Sequence, residues 1–247
     1  MREIERFGIK IHPLPKTEFL SKILSGLESG TQIVQNGVNA ASIIELVNND
    51  ILRNAINNSN LVNIDGISVL MALRFLGYQV PERVACPDLA ADILALAELK
   101  KYSVFLFGAK EESLQLSVKK LHDQYPGLRI AGSRNGYFTA DDELAIVEMI
   151  NNSDSDILFL GMPSPHKELF VEKYKDTLKV KYFLGVGGFF DILSGLTKRA
   201  PLWVQNIGME WLFRFAQEPH RMWRRYIIGN TRFICLILRE KLKRNNG

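Results

Sequence analysis

At 247 residues, with 47% apolar and 23% charged side chains, the chain can build one α/β-sized core plus a smaller appendage, and a disordered or collagen-like polymer is excluded. Its two cysteines, Cys86 and Cys235, show neither C-x-x-C metal spacing nor a disulfide framework, so a reducing compartment is expected. The net charge of +4 is unevenly placed, because residues 198–247 carry eleven Lys/Arg against three Glu and leave the rest slightly acidic.

The opening Met1-Arg2-Glu3-Ile4-Glu5-Arg6 mixes acids and bases before any apolar stretch, unlike a signal peptide. A run of about 18 apolar residues, the minimum for a spanning helix, is absent. A cytoplasmic protein is expected. Strand-like residues 31–35 precede a helical stretch over 40–57, and strand 61–64 precedes helix 66–76. Pro87 and Asp88 signal the start of a helix over 88–99. Strand 102–107 ends in Gly108 and leads to helix 111–125. Strand 128–131 leads to helix 141–151, and strand 156–160, ending in Gly161, leads to helix 165–175. Strand 180–186 ends in glycines. This alternation predicts an α/β fold: a largely parallel, Rossmann-like sheet with helices on both faces, its ligands outside the carboxyl ends of the strands.

Beyond Arg199-Ala200-Pro201 the pattern becomes helical, over 203–217 and 221–243, split at Glu218-Pro219. Residues 1–197 are therefore read as the catalytic α/β domain and 198–247 as a basic helical appendage. Arg214, Arg221, Arg224, Arg225 and Arg232 interleave with Trp211, Phe215, Trp223, Tyr226 and Phe233. That composition suits an anionic membrane surface, with rings at the headgroup boundary and guanidinium groups on phosphates. A solvated basic helix packed on the core and a homo-oligomer interface are the alternatives. A nucleic-acid surface is not expected, since the body offers no recognised module for one.

Several strand ends carry candidate chemistry. Asp65, in Asn63-Ile64-Asp65-Gly66, projects a carboxylate toward the expected crevice and could act as a general base on a hydroxyl, or could cap the next helix. Gly185-Val186-Gly187-Gly188-Phe189-Phe190-Asp191 could cradle a diphosphate on bare N–H groups, or be a tight turn. In Gly161-Met162-Pro163-Ser164-Pro165-His166-Lys167-Glu168, Lys167 could meet a phosphate or sugar carboxylate and Glu168 could orient a partner. Asp154-Ser155-Asp156 matches the metal-nucleotide D-x-D pattern but precedes its strand, so a solvated turn is expected. His12, His122, His166 and His220 are scattered over different elements, and no metal site or cofactor is expected. G-x-G-x-x-G is missing from the first β/α turns, which speaks against a nicotinamide enzyme.

Taken together, IDG at 64–66, ERV at 82–84 with DL at 88–89, VFLFG at 104–108, YPGLRIAG at 125–132 and GYF at 136–138 form an ordered set. It continues with GMPSPHKE at 161–168, GVGGFFD at 185–191, RAPLWVQNIGMEWLFR at 199–214 and EPHRMWRRY at 218–226. In that order the segments resemble the bacterial WecG/TagA/CpsF glycosyltransferases, which include N-acetylmannosaminyltransferases of cell-surface polymer synthesis. The resemblance implies an inverting, metal-independent transfer from a UDP-sugar to a polyprenyl-diphosphate-linked sugar, at the inner face of the plasma membrane. It implies Asp65 as the base, and Arg83, Lys167 and Glu168 beside it. Asn39, Gly108, Tyr137, Gly187, Gly188 and Asp191 would bind substrate, with Arg83, and Arg214, Arg221 and Arg224 from the appendage, neutralising diphosphate on donor or acceptor. Three positions depart from the family pattern: Lys167 stands where Gln is usual, Gly37 where Thr is usual, and Cys86 where Gly is usual. The donor sugar is therefore open, a uronic acid facing Lys167 being one candidate beside glucose and galactose. A nucleotide-binding, membrane-recruited scaffold without turnover is the rival reading.

Overall fold

The computed structural model describes residues 3–245, of which the side chains of Asn206, Arg221, Met222, Arg224, Arg225, Arg244 and Asn245 lie outside the described set. The chain opens with an antiparallel hairpin, β1 (Ile4–Arg6) and β2 (Ile9–Ile11), followed by α1 (Lys16–Ser29). Strand β3 (Ile33–Val38) leads to α2 (Ala40–Asn48) and α3 (Asp50–Asn57), then β4 (Leu61–Ile64) and α4 (Ile67–Phe75). After α5 (Cys86–Lys100) come β5 (Ser103–Gly108), α6 (Glu111–Gln124), β6 (Arg129–Arg134) and α7 (Glu143–Asn152). Next are β7 (Ile157–Gly161), α8 (His166–Tyr174), β8 (Tyr182–Gly185) and α9 (Phe189–Ser194). The tail holds α10 (Leu202–Asn206), α11 (Glu210–Gln217), α12 (Pro219–Trp223), a π-helical turn Arg224–Ile228, and α13 (Gly229–Asn245).

Strands β3 to β8 form one sheet in the order β4-β3-β8-β7-β5-β6, every pairing parallel, as the alternation predicts. Its inner strands are buried on both faces, and their side chains alternate between two cores. Val104, Leu106, Ile157, Phe159, Tyr182 and Leu184 pack with α1, α5, α6 and α9, while Phe105, Phe107, Leu158, Leu160 and Phe183 pack with α7 and α8. All six carboxyl ends lie along one edge, and the loops that leave them build the site.

Three predicted helices are more broken than the periodicity suggests. The stretch over 40–57 is two helices, because the Asn49 side chain accepts a hydrogen bond from Leu52 N–H and starts α3 afresh. The stretch over 203–217 divides around Gly208, whose φ of 78° no continuing helix allows. The stretch over 221–243 passes through the π-helical turn. The hairpin and α1 are elements that the sequence reading left unassigned.

Helix α13 lies on the body rather than apart from it. Phe233 and Ile237 are buried in a third cluster with Ile4, Ile9, Ile43, Leu46 and Leu73, and Arg6 pairs with Glu240 at 3.2 Å. Deleting a buried aromatic side chain costs about 3–5 kcal/mol. Phe233→Ala is therefore expected to lower the unfolding free energy of the whole protein, read from urea titration, by that order, whereas a detached tail would show no change.

Candidate active site

Asp65 follows β4, and its backbone N–H donates to Val38 O at 3.0 Å, which continues the β3–β4 ladder one step beyond the strands. Segment 81–85 then runs beside β4, tied by Val84 N–H to Ile64 O at 2.9 Å. This brings the start of α5 over the carboxylate. Cys86 N–H donates to Asp65 Oδ1 at 2.8 Å, and Asn39 Nδ2 donates to Oδ2 at 3.4 Å. Asp65 therefore does not cap α4, whose N-cap is Gly66; it sits at the N-terminus of α5, where the helix dipole favours its charge. Two donors leave lone pairs of the carboxylate free for a further proton or hydroxyl. Asn39 meanwhile caps α2 in a reciprocal box with Ser42.

Beneath Asp65 runs a chain of buried polar side chains that sequence reasoning missed. Tyr182 OH donates to Gln35 Oε1 at 2.9 Å, Gln35 Nε2 to Asn63 Oδ1 at 3.0 Å, and Asn63 Nδ2 to Val84 O at 2.7 Å. The only local signal was amide residues inside otherwise apolar strands. The Cys86 thiol rests on Gly37: a Cβ there would stand 2.3 Å from Sγ and 3.0 Å from Asp65 Cβ. Burial, and then the charge of Asp65, push this thiol well above the ordinary cysteine range. Two of the three departures from the family pattern, Gly37 and Cys86, thus touch each other.

The glycine turn after β8 lies opposite. Nothing stands within 4 Å of the position a Gly187 side chain would take, so the turn opens onto free space. At Gly188, in contrast, a Cβ would lie 2.6 Å from Arg214 Nη2, so only glycine admits the guanidinium there. Arg214 Nε is buried without a hydrogen-bond partner, and no carboxylate pairs with this side chain among the described residues. Asp191, on α9, accepts from Ser113 Oγ at 2.8 Å and ties the turn to α6. Gly108 closes β5 with φ 139°, its Cα facing Gly161 so closely that a Cβ would meet Gly161 C at 2.4 Å. Tyr137, on the loop after β6, is 67% exposed, and its N–H is fixed by Asn135 Oδ1 at 3.1 Å.

Lys167 and Glu168 open α8 and form a buried ion pair with each other. The Lys167 stem crosses Gly185, where a Cβ would be 2.6 Å from its Cε. Its charge is matched by its neighbour, while Glu168 Oε2 has no partner. Arg83 is also engaged: Nη1 donates to Glu210 Oε2 at 2.9 Å and Nη2 to Gln205 Oε1 at 3.4 Å, both from the tail. Arg199 holds Asp88 with two hydrogen bonds, one of 2.9 Å from Nη2 to Oδ2, and its Nε lies 3.8 Å from Glu210 Oε1. Burial opposes the charge of Asp88, but the Arg199 contacts outweigh it and hold the carboxyl below its ordinary range. The side chains of Arg221 and Arg224 lie outside the described residues.

Asp154 and Asp156 sit at the opposite end of the sheet. Asp156 accepts from Ser103 N–H at 2.9 Å and pairs with Lys181 at 2.9 Å, which is a structural turn and not part of this crevice. Among the described residues no helix is long and apolar enough to cross a membrane.

With the crevice defined, the chain can be set beside known proteins. The profile of the glycosyl transferase WecG/TagA/CpsF family matches residues 4–247. An N-acetylglucosaminyldiphosphoundecaprenol N-acetyl-β-D-mannosaminyltransferase of Bacillus subtilis strain 168 is 32% identical over 75% of this chain and 71% of its own length. One of the same name from Bacillus spizizenii strain W23 is 27% identical over 93% of this chain and 91% of its own.

The Gly37–Cys86 contact yields a double-mutant test. Gly37→Ala alone is expected to destabilise by about 1–3 kcal/mol, the usual penalty for overpacking. Cys86→Gly in the same chain should recover most of that loss in urea unfolding. A neutral Gly37→Ala with Cys86 in place would show that the sulfur does not occupy this space.

Proposed function

Because this chain belongs to the WecG/TagA/CpsF glycosyl transferase family, we propose that it moves a sugar from a UDP-sugar onto a polyprenyl-diphosphate-linked sugar, with inversion and without a metal. The protein is a glycosyltransferase, and the observation that carries the finer reading is the acceptor named for both relatives, N-acetylglucosaminyldiphosphoundecaprenol. The geometry supports it. Asp65, held by the Cys86 N–H and Asn39 with lone pairs to spare, accepts the proton of the acceptor hydroxyl as the oxygen attacks the anomeric carbon. The bond from that carbon to the diphosphate oxygen breaks on the far side, and the nucleoside diphosphate leaves with the electron pair. The turn 185–188 and Arg214 over Gly188 receive the developing charge, so that fixed guanidinium and N–H dipoles take the role a metal would play.

The third departure, Lys167, bears on the donor. Its ammonium is neutralised by Glu168 within the buried pair, which leaves no excess positive charge for a sugar carboxylate. This favours a neutral sugar over a uronic acid, and the N-acetylmannosaminyl group named for the relatives is the first donor to try.

The tail supplies the surface. Trp203 and Ile207 on and after α10 are 67% and 63% exposed, and Leu202, Trp223 and Ile227 of the same tail are exposed too. We assign the exposed apolar side chains of this basic tail to an anionic membrane, so that the enzyme would act peripherally at the membrane's inner face, where a polyprenyl diphosphate is presented.

The reaction is tested by UDP release from a panel of UDP-sugars, with and without a short-chain polyprenyl-diphosphate N-acetylglucosamine. Release that depends on the acceptor, for one neutral sugar and in the presence of a chelator, is the expected result; nucleotide binding without turnover on any acceptor would favour the scaffold. Asp65→Asn should cut kcat by about two to four orders of magnitude and leave UDP affinity unchanged. Binding to anionic phospholipid vesicles should weaken as salt rises and weaken again in Trp203→Ser/Ile207→Ser. Equal binding by that variant would move the docking face elsewhere.

A further inference from the structure

We propose that Glu210 is a positioning residue for the diphosphate site: it anchors α11 to the body so that Arg214, one turn further on, holds its guanidinium over Gly188. The inference rests on the reading that Arg214 meets the donor diphosphate, and adds a residue for which neither motif nor relative supplied a role.

The case begins with what does not hold α11. It is a helix of eight residues without a single buried one, and its N-cap, Met209, makes no side-chain cap. The Gly208 turn before it separates it from α10. The ring contacts of α11 are within the tail, Trp211 and Phe215 meeting Tyr226 at 5.8 and 6.5 Å, and a helix this short has little stability of its own. Polar contacts hold its two ends as well. At the far end Gln217 bonds the Lys198 backbone, accepting from N–H at 3.0 Å and donating to O at 2.9 Å. At the near end Glu210 spans one cation of the body and one at the root of the tail: Oε2 meets Arg83 Nη1 at 2.9 Å and Oε1 lies 3.8 Å from Arg199 Nε. Those arginines are themselves fixed, Arg83 by Gln205 and Arg199 by Asp88 at the start of α5. The Arg83 side chain is only 14% exposed, so the pair is shielded from much of the screening that makes surface ion pairs weak.

Residues four apart on a helix share a face. Glu210 and Arg214 therefore point to the same side of α11, one onto the ERV segment and the other onto the glycine turn. Arg214 has no carboxylate of its own among the described residues, so its place over Gly188 depends on the helix that carries it. With Glu210 gone, the first turn of α11 loses its tether and the guanidinium loses its fixed approach.

Simple electrostatics predicts the opposite sign. Glu210 cancels positive charge close to the site, so removing it without any positional effect would strengthen the binding of an anion. The two accounts are separated by comparing UDP with uridine in calorimetric titrations of the full chain. Positioning predicts that Glu210→Gln weakens UDP binding by about tenfold, the scale of one charge-assisted hydrogen bond, and leaves uridine affinity unchanged. Arg214→Ala should have a similar effect, and the double variant should be no worse than either single one. Glu210→Asp, with its shorter reach, should fall between. Unchanged or tighter UDP binding by Glu210→Gln, or additive losses in the double variant, would overturn the positioning role alone. Loss of uridine binding as well would reduce Glu210 to a general folding residue. Absence of UDP binding by the unsubstituted chain would instead overturn the reading of the site, and the positioning role with it.

Discussion

The buried chain of amides from Tyr182 through Gln35 and Asn63 to Val84 O is the constraint from which the site hangs. Each member is enclosed, so each must find its partner or cost the desolvation of an unpaired polar group, about 1–3 kcal/mol apiece. Satisfying all of them at once requires β8, β3 and β4 to be in register and the segment before α5 to lie along β4. A one-residue slip of any strand would turn these side chains to the other face. The same arrangement delivers the Cys86 N–H to Asp65. The carboxylate proposed as the base is thus oriented by a network of enclosed side chains beneath it.

Charge is distributed with the same economy. Arg83, Arg199 and Lys167 all lie near the crevice, and all three are already matched by Glu210, Asp88 and Glu168. Arg214 is different: it lies on the glycine turn, and no carboxylate pairs with it among the described residues. Arg214 is half-buried with its Nε enclosed, and a partly desolvated cation without a counter-charge is favoured by an anionic ligand. The place of that cation is a sharper basis for the proposed anion site than the count of basic residues in the tail, of which Lys198, Arg232, Arg239 and Lys243 are exposed.

Much of the fold was legible because parallel strands buried on both faces write themselves as short apolar runs, and glycines at their ends mark the crevice. Asp65, the 185–191 turn and the loop at 161–168 were found that way, and the structure brings them to one edge. What escaped is non-local. The partner that orients Asp65 is Cys86, separated by a whole helix, and no periodicity points to it. Lys167 and Glu168 are adjacent in sequence, where helical side chains normally diverge, so their pairing could not be read from spacing. Arg83 was identifiable as a site arginine, but its engagement by Glu210 depends on how the tail folds back. The breaks at Asn49 and Gly208 are set by a side-chain cap and a positive φ, to which hydrophobic periodicity is blind. The three-residue strands of the opening hairpin are shorter than any window in which alternation can be counted.

The tail's route over the body joins two properties the proposed reaction needs. Its turn at Gly208 packs on Ile67, where a Cβ at Gly208 would lie 3.4 Å from Cγ2. Ile67 is the second residue after Asp65. The exposed apolar side chains of Trp203 and Ile207 therefore belong to the segment that borders the Asp65 loop, and Arg214 lies one helix further along the same path. An acceptor with an isoprenoid end, a diphosphate and a sugar hydroxyl needs an apolar surface, a cation and a base in close succession. A soluble sugar nucleotide needs only the last two. The exposed apolar side chains and Arg214 thus share one chain segment, so the proposed membrane contact and the proposed diphosphate site are linked by the same restraints: the ion pairs of Arg83 and Arg199 and the packing of Phe233 and Ile237.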